Sequence, residues 1–258
     1  MPLYRTEAIV MGGWNLGEAD RIVSFYTRRM GRIRGVAAGV RRVRSKFGGR
    51  LQLFTHGTLL CFAKENRGLC RINEFEPLDS FQGLRSDLGR LSHASYLVEL
   101  TSLLVWEGEI SEETFLLLLR ALRRLEAGVE VFHAERAFEI GLLLIAGYLP
   151  ELGRCVRCKR PPARDQGASL APEEGGILCP DCQTKFHPSL PLTPPSLVYL
   201  QEARGGDLGK LLGIPLSWQE RTEISSAMRA YFNHILQKRM HTLDFMAQLE
   251  KATGGEMG

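Results

Sequence analysis

Four of the six cysteines fall into two pairs, Cys155-Val156-Arg157-Cys158 and Cys179-Pro180-Asp181-Cys182, which gives the spacing C-x2-C-x20-C-x2-C. Two thiolates from each pair complete a tetrahedron around Zn²⁺ with bonds of roughly 2.3 Å, and the interval suits a zinc ribbon or treble-clef finger. Four sulfurs fill the coordination sphere. The expected role is therefore one structural zinc per chain, with no open position for water or substrate. The segment between the pairs is rich in Pro, Gly and charge (Lys159-Arg160-Pro161-Pro162, Glu173-Glu174-Gly175-Gly176) and poor in apolar residues, which makes the metal its core. His187, five residues beyond Cys182, reads as a neighbour of the site or a surface residue beside four available thiolates. Cys61 and Cys70 lie on strands expected to be adjacent and read as small core hydrophobes.

A second chemistry is written in the charge. The net charge is +4, yet residues 1–80 hold 14 Lys and Arg against 7 Asp and Glu, so one third of the chain carries the basic excess. Between Asp20 and Glu65 there is no acid, while Arg21, Arg28, Arg29, Arg32, Arg34, Arg41, Arg42, Arg44, Lys46, Arg50 and Lys64 all occur. An uncompensated field of that density suits a polyanion, the alternative being a solvated basic face. Arg32, Arg34, Arg41, Arg42, Arg44, Lys46 and Arg50 are the residues expected to contact nucleic-acid phosphates. Trp14, Tyr26 and Phe47 are candidates for stacking on bases, and each could equally belong to the core.

Catalytic patterns fail on inspection. His133-Ala134-Glu135 upstream of the cysteines has the H-x-E of zinc deaminases, but Arg154 stands where proline should precede Cys155, and the second pair would be unexplained. Gly206-Asp207-Leu208-Gly209-Lys210-Leu211 lacks the spacer and the Ser/Thr of a phosphate loop. The competing class is a zinc-dependent enzyme acting on nucleic acid, of deaminase or nuclease type, but no residue stands out as its catalyst and the chain reads as a non-enzyme.

Elements that would position these groups follow from periodicity. With 258 residues, 44% hydrophobic and 24% charged, the chain is long enough for two or three modules and is neither disordered nor fibrous. The longest apolar helical stretch, Ile140 to Leu149, is about half of a bilayer span, and the N-terminus lacks a signal-peptide pattern, so a cytoplasmic protein is expected. In such a compartment the cysteines stay reduced. Segments 6–11, 22–27, 32–37, 58–63 and 69–76 are short, rich in β-branched and aromatic residues, and separated by glycine turns or by Asn66-Arg67-Gly68. Five short strands protect their edges by closing, so an OB-fold β-barrel is expected over 1–80, with an SH3-like barrel as second choice. Arg32 and Arg34 then share one strand face while Ile33 points inward, and residues 39–49 read as a basic, mobile loop.

From residue 83 the period becomes 3.6, with Leu84, Leu88, Leu91, Ser95, Val98, Ser102 and Val105 in phase. Ser111 can cap a helix that opens on Glu112-Glu113, and an apolar helix from Val131 should sit at the centre of a bundle and stop at Gly147. Helices resume over 196–203 and 218–238, with Trp218, Ile224, Met228, Tyr231, Phe232 and Ile235 as core, and the tail from Ala252 is expected to fray. The expected domains are 1–80 as barrel, 81–150 with 191–250 as helical bundle, and 151–190 as zinc finger, an α+β multidomain chain.

Tyr4-Arg5-Thr6-Glu7-Ala8-Ile9-Val10, Gly17-Glu18-Ala19-Asp20-Arg21-Ile22-Val23, Gly31-Arg32-Ile33-Arg34-Gly35-Val36-Ala37 and Ser45-Lys46-Phe47-Gly48-Gly49-Arg50-Leu51 look like successive N-terminal segments of the bacterial recombination-mediator family RecO. With the helices and the finger, the resemblance covers essentially the whole chain; Ala38 and Val43 stand where family members often have lysine and proline. It implies binding of single- and double-stranded DNA, annealing of complementary strands, and help in loading recombinase onto DNA coated with single-strand binding protein, together with RecR. A cytoplasmic, nucleoid-associated role follows from the same resemblance. The acidic tail of single-strand binding protein would want an apolar groove with a basic rim. Arg120, Arg123 and Arg124 beside Leu118 and Leu122 could supply one, although such helix charges are usually solvated.

Overall fold

Alternating apolar residues make the first third of the chain β. A computed structural model describes residues 2–63, 69–163, 165–183 and 189–252; Lys64, the turn Asn66-Arg67-Gly68, His187 and the tail 253–258 lie outside the described residues. The strands β1 (Leu3–Leu16), β2 (Asp20–Thr27), β3 (Gly31–Ala37), β4 (His56–Phe62) and β5 (Cys70–Asp79) close into a barrel in the order β1-β2-β3-β5-β4. The β1–β4 pairing joins the two ends of that order, and β3 meets β5 in parallel through Gly35↔Cys70 and Val36↔Arg71, which is OB-type topology. Two glycines permit it. Gly12, at φ 148°, lies at the bulge that bends β1 around the barrel. At Gly35 a Cβ would stand 2.7 Å from both Cys70 Sγ and Ile72 Cγ1, so only glycine lets β5 approach.

Val10, Val23, Phe25, Leu59, Cys61 and Phe75 fill the barrel, and Phe47 and Leu51 join them from outside the strands. The segment after β3 is a run of turns closed by i to i+3 backbone bonds (Arg42 N to Gly39 O, Ser45 N to Arg42 O, Gly48 N to Ser45 O) and not a free loop. Phe47, 1% exposed, anchors it with a contribution of about 2 kcal/mol.

Helices α1 (Gln82–Ser86), α2 (Leu88–Leu104), α3 (Glu112–Glu126), α4 (Val131–Ile145), α5 (Pro194–Ala203), α6 (Leu208–Leu212), α7 (Trp218–Leu236) and α8 (His241–Ala252) follow, with strands β6 (Ala168–Ala171), β7 (Gly176–Leu178) and β8 (Leu190–Leu192) inserted after α4. The chain divides into two compact units, Met1–Val129 with His241–Gly258, and Glu130–Met240. Ser111 caps α3 through Thr114 N, with Glu112 and Glu113 in its first turn, as its sequence indicates. Of the expected stripe Leu84, Val98 and Val105 are buried, and along the rest of α2 the buried face is displaced from it. Asp87 restarts the helix by capping Arg90 N, which leaves Leu88 exposed and buries Ala94, Leu97, Leu100, Thr101 and Leu104. The capping of α8 comes from α2: the Glu99 carboxylate accepts from the backbone N–H groups of His241 and Thr242, both at 2.9 Å.

In the second unit α4 ends as expected at Gly147, φ 76°. Its buried face carries charge, with Arg136 paired to Glu139 at 2.6 Å and to Glu135 at 3.3 Å. Ile224, Met228, Tyr231 and Phe232 of α7 are buried, but Trp218 is 77% exposed. It precedes Ile224 by six residues, which places it roughly 120° around the helix from that buried face. Among the described residues no helix is long and apolar enough to cross a membrane.

One charged cluster fastens α3 to the barrel. His56, almost fully buried, has Nδ1 2.9 Å from Asp79 and Nε2 3.2 Å from Glu7. Arg28 pairs with Glu7 at 2.8 Å and with Glu112 of α3, and Arg123 of α3 pairs with Asp79 at 2.7 Å. Burial alone would push both carboxyls up; the hydrogen bonds and charges of Arg28 and His56 on Glu7, and of Arg123 and His56 on Asp79, hold them below their ordinary values of 4.5 and 3.8. Groups with lowered folded pKa values stabilise the fold above their unfolded values and cease to do so as pH falls through the folded ones. Acid titration of the melting temperature should therefore show a loss below about pH 4.5. Glu7→Gln should be less stable at pH 7 and decline more gently below it, and an acid limb as steep as that of the unsubstituted protein would contradict this account of the cluster.

Candidate metal centre and nucleic-acid interface

The first cysteine pair is a tight turn. Lys159 N donates to Cys155 O and Cys155 N to Arg160 O, each at 2.9 Å, with Lys159 in the left-handed region at φ 62°. Val156 N, donating to Ile177 O at 2.9 Å, ties this turn to β7. The second pair begins directly after β7, where Cys182 N and Gln183 N both donate to Cys179 O at 3.0 Å. Sheet β7-β6-β8 thus brings the pairs together. This segment has more core of its own than its composition suggests, since Leu170, Ile177, Leu178 and Leu192 are all buried.

All four Sγ atoms lie within 4.8 Å of one another. Tetrahedral sulfurs at metal–sulfur bonds of 2.3 Å stand about 3.8 Å apart, and Cys158 Sγ is 3.7 Å from Cys179 Sγ. The residues fit a metal ion held by thiolates. The surroundings favour ionisation in the first pair: burial raises the Cys155 thiol, but backbone N–H groups of Cys158, Cys179 and Arg157 bring it down to about 6. Backbone and guanidinium hydrogen bonds from Arg160 lower Cys158. Arg160 also pairs with Asp181 at 3.5 Å and Arg157 with Glu174 at 2.7 Å, so cations border the sulfur cluster. Cys61 and Cys70 are buried in the barrel, apart from this group.

The basic stretch separates into two populations. Arg28 is bound to Glu7 and Glu112; Arg34 is bound to Glu107 at 3.0 Å; Arg32 Nη1 donates to the Ser102 carbonyl; Arg21 donates to the carbonyls of Leu51 and Gly13 at 3.5 and 3.4 Å. The others carry free charge. Arg42, Arg44 and Arg50 are exposed and have no acidic partner among the described residues; Arg41 and Lys46 donate to the backbone carbonyls of Gly17 and Asn73, at 3.3 and 2.6 Å, and the Lys46 ammonium also lies 5.1 Å from the centroid of the Phe47 ring. The turn run around Phe47 therefore presents Arg41, Arg42, Arg44, Lys46 and Arg50 outward from a fixed base.

Two of the three stacking candidates are core. Phe47 lies inside the barrel, and buried Tyr26 donates through its hydroxyl to Ser111 O at 3.3 Å and packs on Phe115. Trp14 alone is open, at 49% exposure. The groove expected beside Arg120, Arg123 and Arg124 has no apolar floor, because Leu118 and Leu122 are fully buried where α3 packs inward. Arg123 is engaged with Asp79, and burial together with the like charge of Arg120 lowers Arg124.

A five-stranded OB barrel with an outward basic segment, followed by helices that carry a four-cysteine cluster able to hold a metal ion, defines a class of OB-barrel proteins with a cysteine-clustered insert. Residues 1–81 match the family model of the recombination protein O N terminal domain, and residues 85–244 that of the recombination protein O C terminal domain. The chain belongs to the RecO family. Among its relatives are the DNA repair protein RecO of Roseiflexus sp. (strain RS-1), 37% identical over 95% of this chain and 85% of that one, and that of Symbiobacterium thermophilum, 34% identical over 98% of this chain and 100% of that one. The DNA repair protein RecO of Rubrobacter xylanophilus is 39% identical over 78% of this chain and 81% of that one.

Proposed function

We propose that this chain is a DNA repair and homologous-recombination mediator. It binds single- and double-stranded DNA, anneals complementary strands without catalysing a covalent change, and, together with RecR, helps load recombinase onto single strands coated with single-strand binding protein in the cytoplasm at the nucleoid. The observation that carries the reading is the row of outward cations at Arg41, Arg42, Arg44, Lys46 and Arg50, free of acidic partners on a barrel surface. Annealing needs the phosphates of two repelling strands neutralised without reading bases, which is what clustered, mobile-tipped cations do. Arg32 and Arg34 extend the same surface once phosphate displaces Ser102 and Glu107.

In this reading residues 1–80 bind DNA, 151–190 hold one Zn²⁺, and the helices of 81–150 and 191–250 are scaffold and partner surface. Zinc is favoured because an all-thiolate tetrahedron suits it and requires no redox chemistry. The basic edge Arg120, Arg123 and Arg124 of α3 remains our assignment for the acidic tail of single-strand binding protein, as an electrostatic contact. The purified protein should hold about one zinc per chain and speed the annealing of complementary oligonucleotides without ATP, leaving both strands unaltered by mass spectrometry. Nucleotide-dependent annealing or a cleaved or deaminated strand would instead favour a zinc-dependent enzyme.

A further inference from the structure

Trp14 is the aromatic side chain that the barrel leaves uncovered, and its surroundings are built. It lies on β1 just past the Gly12 bulge, opposite Ile22 of β2, in the wall of an open groove of about 530 Å³. That size is within the range of about 300–1,000 Å³ that accommodates small organic ligands. Arg21, Arg41, Gly48 and Gly49 line the same groove. The two guanidinium groups are held by backbone carbonyls, Arg21 by Leu51 and Gly13 and Arg41 by Gly17, with no acidic partner among the described residues. Each keeps further N–H donors for an anion. Gly48 adopts φ +50°, and a Cβ there would meet nothing within 4 Å, so this part of the groove lining is backbone bordered by open space.

A flat indole beside two anchored guanidinium groups is the chemistry of one unpaired nucleotide: a base face for the ring and flanking phosphates for the arginines. A base inside a duplex has both faces covered and cannot reach an indole set in a groove. We propose that this groove is a single-strand-specific subsite in which Trp14 stacks on an unpaired base of the bound strand, while Arg42, Arg44 and Arg50 contact phosphate on single or double strands alike. The inference rests on the DNA-binding function proposed above and adds to it a residue that distinguishes a strand still to be paired from one already paired.

The test compares three probes on the full chain: an oligothymidylate, an abasic strand with the same number of phosphates, and a duplex of equal length. Trp14→Ala is expected to weaken the oligothymidylate complex about tenfold, from the loss of one base–aromatic stack, and to leave abasic and duplex affinities within about twofold of the parent protein. Trp14→Phe should retain most of the affinity, which separates loss of stacking from loss of fold. Photo-crosslinking of a strand containing 5-iododeoxyuridine should place the adduct on Trp14. Unchanged oligothymidylate binding by Trp14→Ala, or an equal loss on all three probes, overturns the subsite while leaving phosphate binding in place. If the unsubstituted protein binds none of the probes, the DNA-binding function itself falls and the subsite with it.

Discussion

Serine at Cys155, Cys158, Cys179 or Cys182 is expected to abolish stoichiometric metal binding and to destabilise the Glu130–Met240 unit by on the order of 4 kcal/mol. The four sulfurs converge from two turns that are otherwise joined through short strands of four, three and three residues and the exposed Arg160–Asp181 pair at 3.5 Å. Without the ion, three thiols and a hydroxyl within 4.8 Å offer no comparable attraction. The buried Leu170, Ile177, Leu178 and Leu192 keep the sheet from depending wholly on metal, so the variant should melt early and not be unfolded from the outset. Cys61→Ala is the control, because that thiol fills the barrel core and should cost stability without loss of metal. Metal analysis and calorimetry on the same samples read both quantities. A soluble, metal-free serine variant with unchanged melting temperature would contradict the structural role.

What could be read from the sequence was whatever local rules decide. Cysteine spacing located the finger, strand alternation located the barrel, and Ser111 with its two glutamates marked the start of α3. Features set by distant partners were invisible. Arg34 and Glu107 are 73 residues apart, Arg28 and Glu112 are 84, and no window of sequence distinguishes those occupied cations from free ones such as Arg42 and Arg44. Glu99 caps a helix 142 residues downstream. Phe47 illustrates a different obstacle: in a run of turns there is no period to say which way a side chain faces, and the one aromatic among the five cations from Arg41 to Arg50 points inward. Trp218 shows the reverse, a large apolar residue in a helical stretch that the register turns outward. The strands of the finger are too short to display alternation, which is why its own apolar core was missed.

Reversal of Arg41, Arg42 and Arg44 to glutamate is the second large effect. Each phosphate contact on a single strand contributes about −0.7 to the slope of log affinity against log salt, so three lost contacts should flatten that slope by roughly 2. Binding should weaken alike for all sequences. The fold should survive, because the three side chains are exposed and Arg41 alone holds a contact, to the Gly17 carbonyl. Arg34→Glu should alter the slope less than any one of these, since Glu107 already competes for its guanidinium.

The most direct measurement is fluorescence anisotropy of a labelled single strand across a series of salt concentrations, on the unsubstituted protein and on the Arg41, Arg42 and Arg44 triple reversal. A slope flatter by roughly 2 in the variant, with an unchanged melting curve, is the result expected if the basic turn run of the barrel holds DNA. An unchanged slope would contradict it and place the contact elsewhere, with Arg154, Arg157, Lys159 and Arg160 of the finger first in line, although three of those four already pair with Glu151, Glu174 and Asp181.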